Sequence, residues 1–200
     1  MKTIDIIRLR IPVPLETAEM LDGRPRLLKG AQLAQPALIP AQPLPLRVAC
    51  WDDFGKNKSE ALHEAVEVWN SAINKHTNLN QAFIEAKTQT CERIDVIVES
   101  LEMSSGGSLQ HNLSLVDEMA VCKHRWDKSF QVYSVDDSVC EIYLKKNVSL
   151  LDLKSVLLHE LGHALLLGHS DWRGSLMYPE HGGVTRPSKK LCKIVEEIWT

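Results

Sequence analysis

At 200 residues the chain is long enough for one domain with a sizeable core plus a tail. Its formal net charge of -3, with 24% charged and 44% hydrophobic residues, excludes a nucleic-acid binder that works by electrostatics, because such domains are clearly basic. No apolar run approaches the roughly 20 residues that span a bilayer, so no membrane is expected as a partner.

Residues 1–45 read as an N-terminal extension. Pro12, Pro14, Pro25, Pro36, Pro40, Pro43 and Pro45 make it the proline-dense part of the chain, extended or irregular. Asp5, Arg8 and Arg10 interrupt any uncharged stretch that could act as a signal-peptide core. The default compartment is therefore the cytoplasm, with the outside reachable by leaderless export. The five cysteines, Cys50, Cys91, Cys122, Cys140 and Cys192, are odd in number and form no C-x-x-C pair. They read as small buried thiols of a reducing compartment; in an exported chain, Cys122 with Cys140 would be the candidate bridge.

From residue 46 to 200 the texture is that of a folded domain. Leu46, Val48 and Cys50 alternate with Arg47, Ala49 and Trp51, as a first strand does. Asn57 followed three residues later by Glu60 suits a capping box, and Leu62, Val66, Trp69 and Ile73 then place an apolar stripe along a helix. Strands are expected over 82–85, 93–99, 119–126 and 141–145, and Ser104–Ser108 reads as a loop. A second helix starts near Leu151, with Ser149 as N-cap and Asp152 three residues on. A third follows Pro187-Ser188 and buries Leu191, Ile194, Val195 and Ile198. The plan is α+β: a twisted mixed sheet with an N-terminal helix, a motif-bearing helix and a C-terminal helix. Trp51, Trp126, Trp172 and Trp199 read as core or rim residues. The chain is expected to be a monomer.

The informative segment is HELGHALLLGHSDWRGSLMYP, residues 159–179. His159 and His163, at i and i+4, project from one helix face and can share a metal ion about 2.0 Å from each nitrogen. Glu160 stands beside that metal as general base, poised to take a proton from a zinc-bound water. His169 lies beyond the reach of a straight helix, so the chain must turn back for it to become the third ligand. Three neutral imidazoles leave a fourth position open and the charge of the ion unneutralised, which marks a catalytic zinc. The helix is apolar almost all round, and a buried Glu with two His in such surroundings needs partners or a metal.

With Met177 downstream, this pattern resembles the metzincin clan of zinc endopeptidases, and the run from His169 to Pro179 resembles its matrixin branch. The resemblance is densest over residues 155–181 and extends weakly to the first helix and to strands near 83–85 and 94–98. It implies a zincin-like fold, one catalytic zinc and a peptide or protein substrate. It also implies that Met177 forms an apolar floor under the ligands in a tight turn, and that Tyr178, Pro179 and His181 line a substrate-pocket wall.

Departures shape the expectations. Leu166 stands where the family has a glycine that breaks the helix; positive φ there costs a leucine about 1–2 kcal/mol. Gly168 is the candidate to take over the turn. His181 occupies a Tyr position of the family's wall. Nothing between Ser100 and Asn147 resembles the family's structural-metal loop, so calcium has no support and His111 and His124 read as ordinary residues. The inhibitory cysteine segment is absent from residues 1–45.

Alternatives are a relative catalytically impaired at Leu166 that acts as a protein-binding module, and two other metal-dependent enzyme groups. An RNA-maturation endonuclease family shares the His spacing but has Gly where Glu160 stands. Another zinc-peptidase branch takes a Glu as third ligand, for which Glu180, Glu196 or Glu197 are the choices here. His169, Glu160 and Met177 favour peptide hydrolysis.

Overall fold

The strand Leu46–Cys50 (β1) lies between two parallel neighbours, with Leu46 opposite Phe83 of β2 (Phe83–Glu85) and Val48 opposite Val96 of β3 (Val96–Leu101). These come from a computed structural model that describes residues 44–50, 54–87, 94–101, 120–124, 126–127, 132–133, 140–145, 148–179 and 183–200. The N-terminal extension, apart from its last two residues, and the loop expected at 104–108 lie outside that set.

The other strands are β4 (Ala120–His124), β5 (Trp126–Asp127), β6 (Val132–Tyr133) and β7 (Cys140–Lys145), and the helices are α1 (Lys56–His76), α2 (Leu150–Ala164) and α3 (Lys189–Trp199). The main sheet has the order β2-β1-β3-β7-β4. Its first four strands run parallel, and β4 pairs antiparallel with β7 at one edge. The β1–α1–β2 and β1–α1–β3 connections are the long crossovers that parallel neighbours require. The α+β architecture expected from the sequence is thus the one observed.

Two expectations about local structure are corrected. The segment 119–126 is not one strand: it divides into β4 and the two-residue β5, which pairs with β6. Nor does Asn57 cap α1. The helix begins at Lys56, after Gly55 at φ 86°, and no side chain caps it. Glu60 lies near Lys56 instead, 3.7 Å away, an exposed pair one turn apart on the helix. Glycine has no Cβ to oppose that backbone angle, so the entry turn is made by Gly55 and the side-chain cap is not needed.

The core sits between the sheet and α1, α2 and α3. From α1 it takes Leu62, Val66, Trp69 and Ile73, the stripe read from the sequence, together with Ala65, and from α3 it takes Leu191, Cys192 and Val195. Asn70 fastens α1 to β2: its Oδ1 accepts from the backbone N–H groups of Ala82 and Phe83, and its Nδ2 donates to the Phe83 carbonyl, all at 2.9 Å. Buried Asp95 joins β1 to the entry of β3, accepting the Arg47 N–H at 2.8 Å. The sheet register sets Cys140 opposite His124 and Cys122 opposite Ile142, and Cys140 is fully buried. Burial pushes the Cys192 thiol up to about 11, as expected for an inert core cysteine. Among the described residues, no helix is long and apolar enough to cross a membrane.

Candidate metal centre

Helix α2 carries the first two of the expected ligands, and its start follows from side-chain chemistry. Ser149 is the N-cap: its Oγ accepts the Asp152 N–H at 3.2 Å and donates to the Asp152 carboxylate at 2.6 Å. From there α2 runs into the interior, with Leu153, Leu157, Leu158 and Leu161 fully buried. Trp69 of α1 donates its indole N–H to the Leu158 carbonyl at 3.0 Å, locking the two helices together beneath the ligand-bearing turn.

Gly162 explains itself on that side of the helix. A Cβ placed there would collide with the Met177 sulfur and stand 3.3 Å from the Trp69 ring. The glycine between the two histidines therefore lets Met177 seat directly against α2. Met177 is fully buried, as an apolar floor should be. Its loop closes on itself: the Ser170 N–H donates to the Met177 carbonyl at 2.6 Å, and the Met177 N–H donates to Ser175 Oγ at 3.1 Å.

How α2 ends decides whether His169 can return. The Leu166 N–H donates to the His163 carbonyl at 2.8 Å, and the Leu167 N–H donates to the Gly162 carbonyl at 3.0 Å. That crossed pair is a Schellman motif, which needs a left-handed residue just past the C-cap. Leu166 is that residue, at φ 69°, the one non-glycine with positive φ among the described residues. Gly168 does not take over the turn, contrary to the expectation. The leucine itself accepts a cost of about 1–2 kcal/mol. Its side chain is fully buried in the core, a burial worth about 1.5–3 kcal/mol, so packing offsets the strain. Since the turn forms with leucine, the reading of a protein impaired at this position is not favoured.

The result is convergence. His163 Nε2 lies 3.1 Å from His159 Nε2 and 3.1 Å from His169 Nε2. The His159 and His169 rings are near parallel, with centroids 5.2 Å apart, and the His163 ring stands nearly perpendicular to both. All three ligand atoms fall within 4.8 Å of one another.

Protonation follows from the partners on the other ring nitrogens. His159 Nδ1 is 2.8 Å from the Leu176 carbonyl, and His163 Nδ1 is 2.7 Å from the Leu167 carbonyl. A carbonyl only accepts, so both Nδ1 atoms carry the proton and both neutral rings turn a lone pair inward at Nε2. Two lone pairs face each other at 3.1 Å, an arrangement that a shared cation makes favourable. Ligands about 2.0 Å from a tetrahedral zinc stand about 3.3 Å apart. The donor set therefore fits the ion.

Glu160, next to His159 on α2, is 5% exposed. Tyr178 and Pro179 follow Met177 and are half-buried, and the Tyr178 hydroxyl accepts from Arg173 Nε at 3.4 Å. His181 lies outside the described residues, as does Glu180. Glu196 is engaged elsewhere, accepting the Asn78 N–H at 2.6 Å, and it is His169 that reaches the two helix histidines. What the residue pattern did not disclose are the carbonyls of Leu167 and Leu176 that orient the rings. Backbone groups leave no mark in composition. The isolated glycine in a leucine-rich helix was the available hint of Met177's close approach.

Among protein-family models, the matrixin family (Peptidase_M10) matches residues 53–193. No curated protein matches the chain.

Proposed function

Because the chain belongs to the matrixin family of metallopeptidases, we propose that it is a zinc-dependent endopeptidase with His159, His163 and His169 as ligands and Glu160 as general base. The observation that carries this is the convergence of three imidazole Nε2 atoms, with His163 Nε2 3.1 Å from each of the other two. A bound zinc supplies a Lewis acid that makes water acidic near neutral pH and polarises a carbonyl.

The chain's own groups do the rest. The Leu167 and Leu176 carbonyls hold their histidines with Nδ1–H engaged, so that Nε2 is the nitrogen turned toward the site. Glu160, desolvated on the same helix turn as His159, takes a proton from the attacking water and returns it to the leaving amine. Met177 excludes water from beneath the ligands, its sulfur packed where Gly162 has no side chain. An extended substrate fits an edge strand by adding a strand of its own, and β4 is such an edge, packed against α2. Tyr178 and Pro179 stand immediately after the floor residue and serve as pocket wall, with His181 two residues beyond Pro179.

The test combines metal content with peptide-library digestion. Elemental mass spectrometry should find about one zinc per chain in the wild type and in Glu160→Gln, and clearly less in His169→Ala. Glu160→Gln should lower kcat/KM by about a thousandfold. A Glu160→Gln protein that cleaves as fast as the wild type would sink the general-base assignment, and a zinc-free wild type would sink the ligand set.

A further inference from the structure

The turn that sends His169 back to the helix is built on a residue that does not favour it. Leu166 sits at φ 69°, where only glycine is at ease. That angle is governed by the orientation of the Leu165–Leu166 peptide unit. One end of the unit, the Leu166 N–H, is bonded to the His163 carbonyl at 2.8 Å. The other end, the carbonyl of buried Leu165, accepts the indole N–H of Trp199 at 3.0 Å.

We propose that Trp199 is a positioning residue of the metal centre: its indole N–H clamps the Leu165 carbonyl and holds the strained Leu166 turn from which His169 departs. Rotation of this peptide unit would let Leu166 relax to negative φ, and the unit can rotate only by giving up both bonds. It would also undo one half of the crossed pair whose other half is the Leu167 N–H on the Gly162 carbonyl at 3.0 Å, and Leu167 O in turn holds His163 Nδ1 at 2.7 Å. One flip thus disturbs the orientation of the second ligand and the path to the third. The clamp is itself anchored. Trp199 ends α3, whose Leu191, Cys192 and Val195 are buried, and Glu196 of the same helix takes the Asn78 N–H at 2.6 Å. With glycine at 166 the left-handed angle is adopted without strain, and the same indole would have little to hold.

The proposal rests on the zinc reading, and its test separates the two. Zinc affinity is measured by chelator competition on the full chain, in Trp199→Phe, Leu166→Gly and the double variant. Phenylalanine keeps most of the ring packing and removes the N–H. Trp199→Phe should weaken zinc about tenfold when residue 166 is leucine and less than about twofold when it is glycine. In the zinc-free protein, Trp199→Phe should speed hydrogen exchange at the Leu166 and Leu167 amides about tenfold relative to the amides of α1. Equal weakening in both backgrounds would make Trp199 a general packing residue and overturn the clamp, as would unchanged affinity or unchanged exchange. A wild type that binds no zinc would sink the metal reading alone, because exchange at Leu166 still decides the clamp.

Discussion

Helix α2 begins and ends by different means. At its start a serine side chain bonds to the backbone three residues on, a local arrangement complete within Ser149–Asp152. At its end the bonds are backbone to backbone around Leu166, and the neighbouring carbonyl is held by a tryptophan from the far end of the chain. The first end needs only its own residues. The second end is stable because distant elements pack on it, and it is this end that brings His169 back to His159 and His163. A cluster of converging side chains can therefore tolerate a residue of poor intrinsic preference where tertiary contacts compensate.

Three measurements sharpen that contrast. The largest effect is expected at the C-terminal end. Leu166→Gly relieves about 1–2 kcal/mol of backbone strain but removes a fully buried leucine, a loss of about 2–5 kcal/mol for comparable truncations. The net should be a stability loss of about 2 kcal/mol in urea unfolding, with zinc affinity kept within about threefold. A stabilised Leu166→Gly protein would mean that packing at 166 contributes less than the backbone strain it offsets. At the N-terminal end, Ser149→Ala should cost about 1 kcal/mol. Zinc affinity should stay unchanged there, since the cap lies about 15 Å along the helix from His159. Altered zinc binding in that variant would erase the distinction between the two ends.

The smallest effect belongs to the surface, on α1. Glu85 hydrogen-bonds His63 at 2.7 Å, and that bond, with the carboxylate's charge, raises the His63 pKa above its ordinary 6.5. The folded state thus favours the protonated ring. Its contribution is fully present below pH 6.5 and fades as pH rises through the raised value. By NMR titration, Glu85→Gln should return His63 toward 6.5, and the stability difference between the two proteins should vanish at alkaline pH. A His63 titration unmoved by Glu85→Gln would mean the pair does not form in solution.

The apolar stripe of α1, the Ser149 cap and the spacing of His159 and His163 were all legible, because each is a regularity within a few neighbouring residues. The start of α1 was misread for a related reason. Asn57 and Glu60 satisfy a local pattern, but Gly55 makes the turn two residues sooner. The turn after α2 was misread in the opposite direction: local preference pointed to Gly168, whereas packing selected Leu166.

Residue order alone determined the chemistry on offer: two imidazoles one helical turn apart, a carboxylate beside the first, and a third histidine beyond a helix break. Whether those groups meet was decided by the tertiary structure. It depends on the carbonyls of Leu167 and Leu176, on Met177 seated against Gly162, and on the handedness of Leu166. The physical reason is that helical periodicity is a short-range property of the chain. A leucine held at positive φ is stable only because surrounding side chains gain more from its burial than its backbone loses.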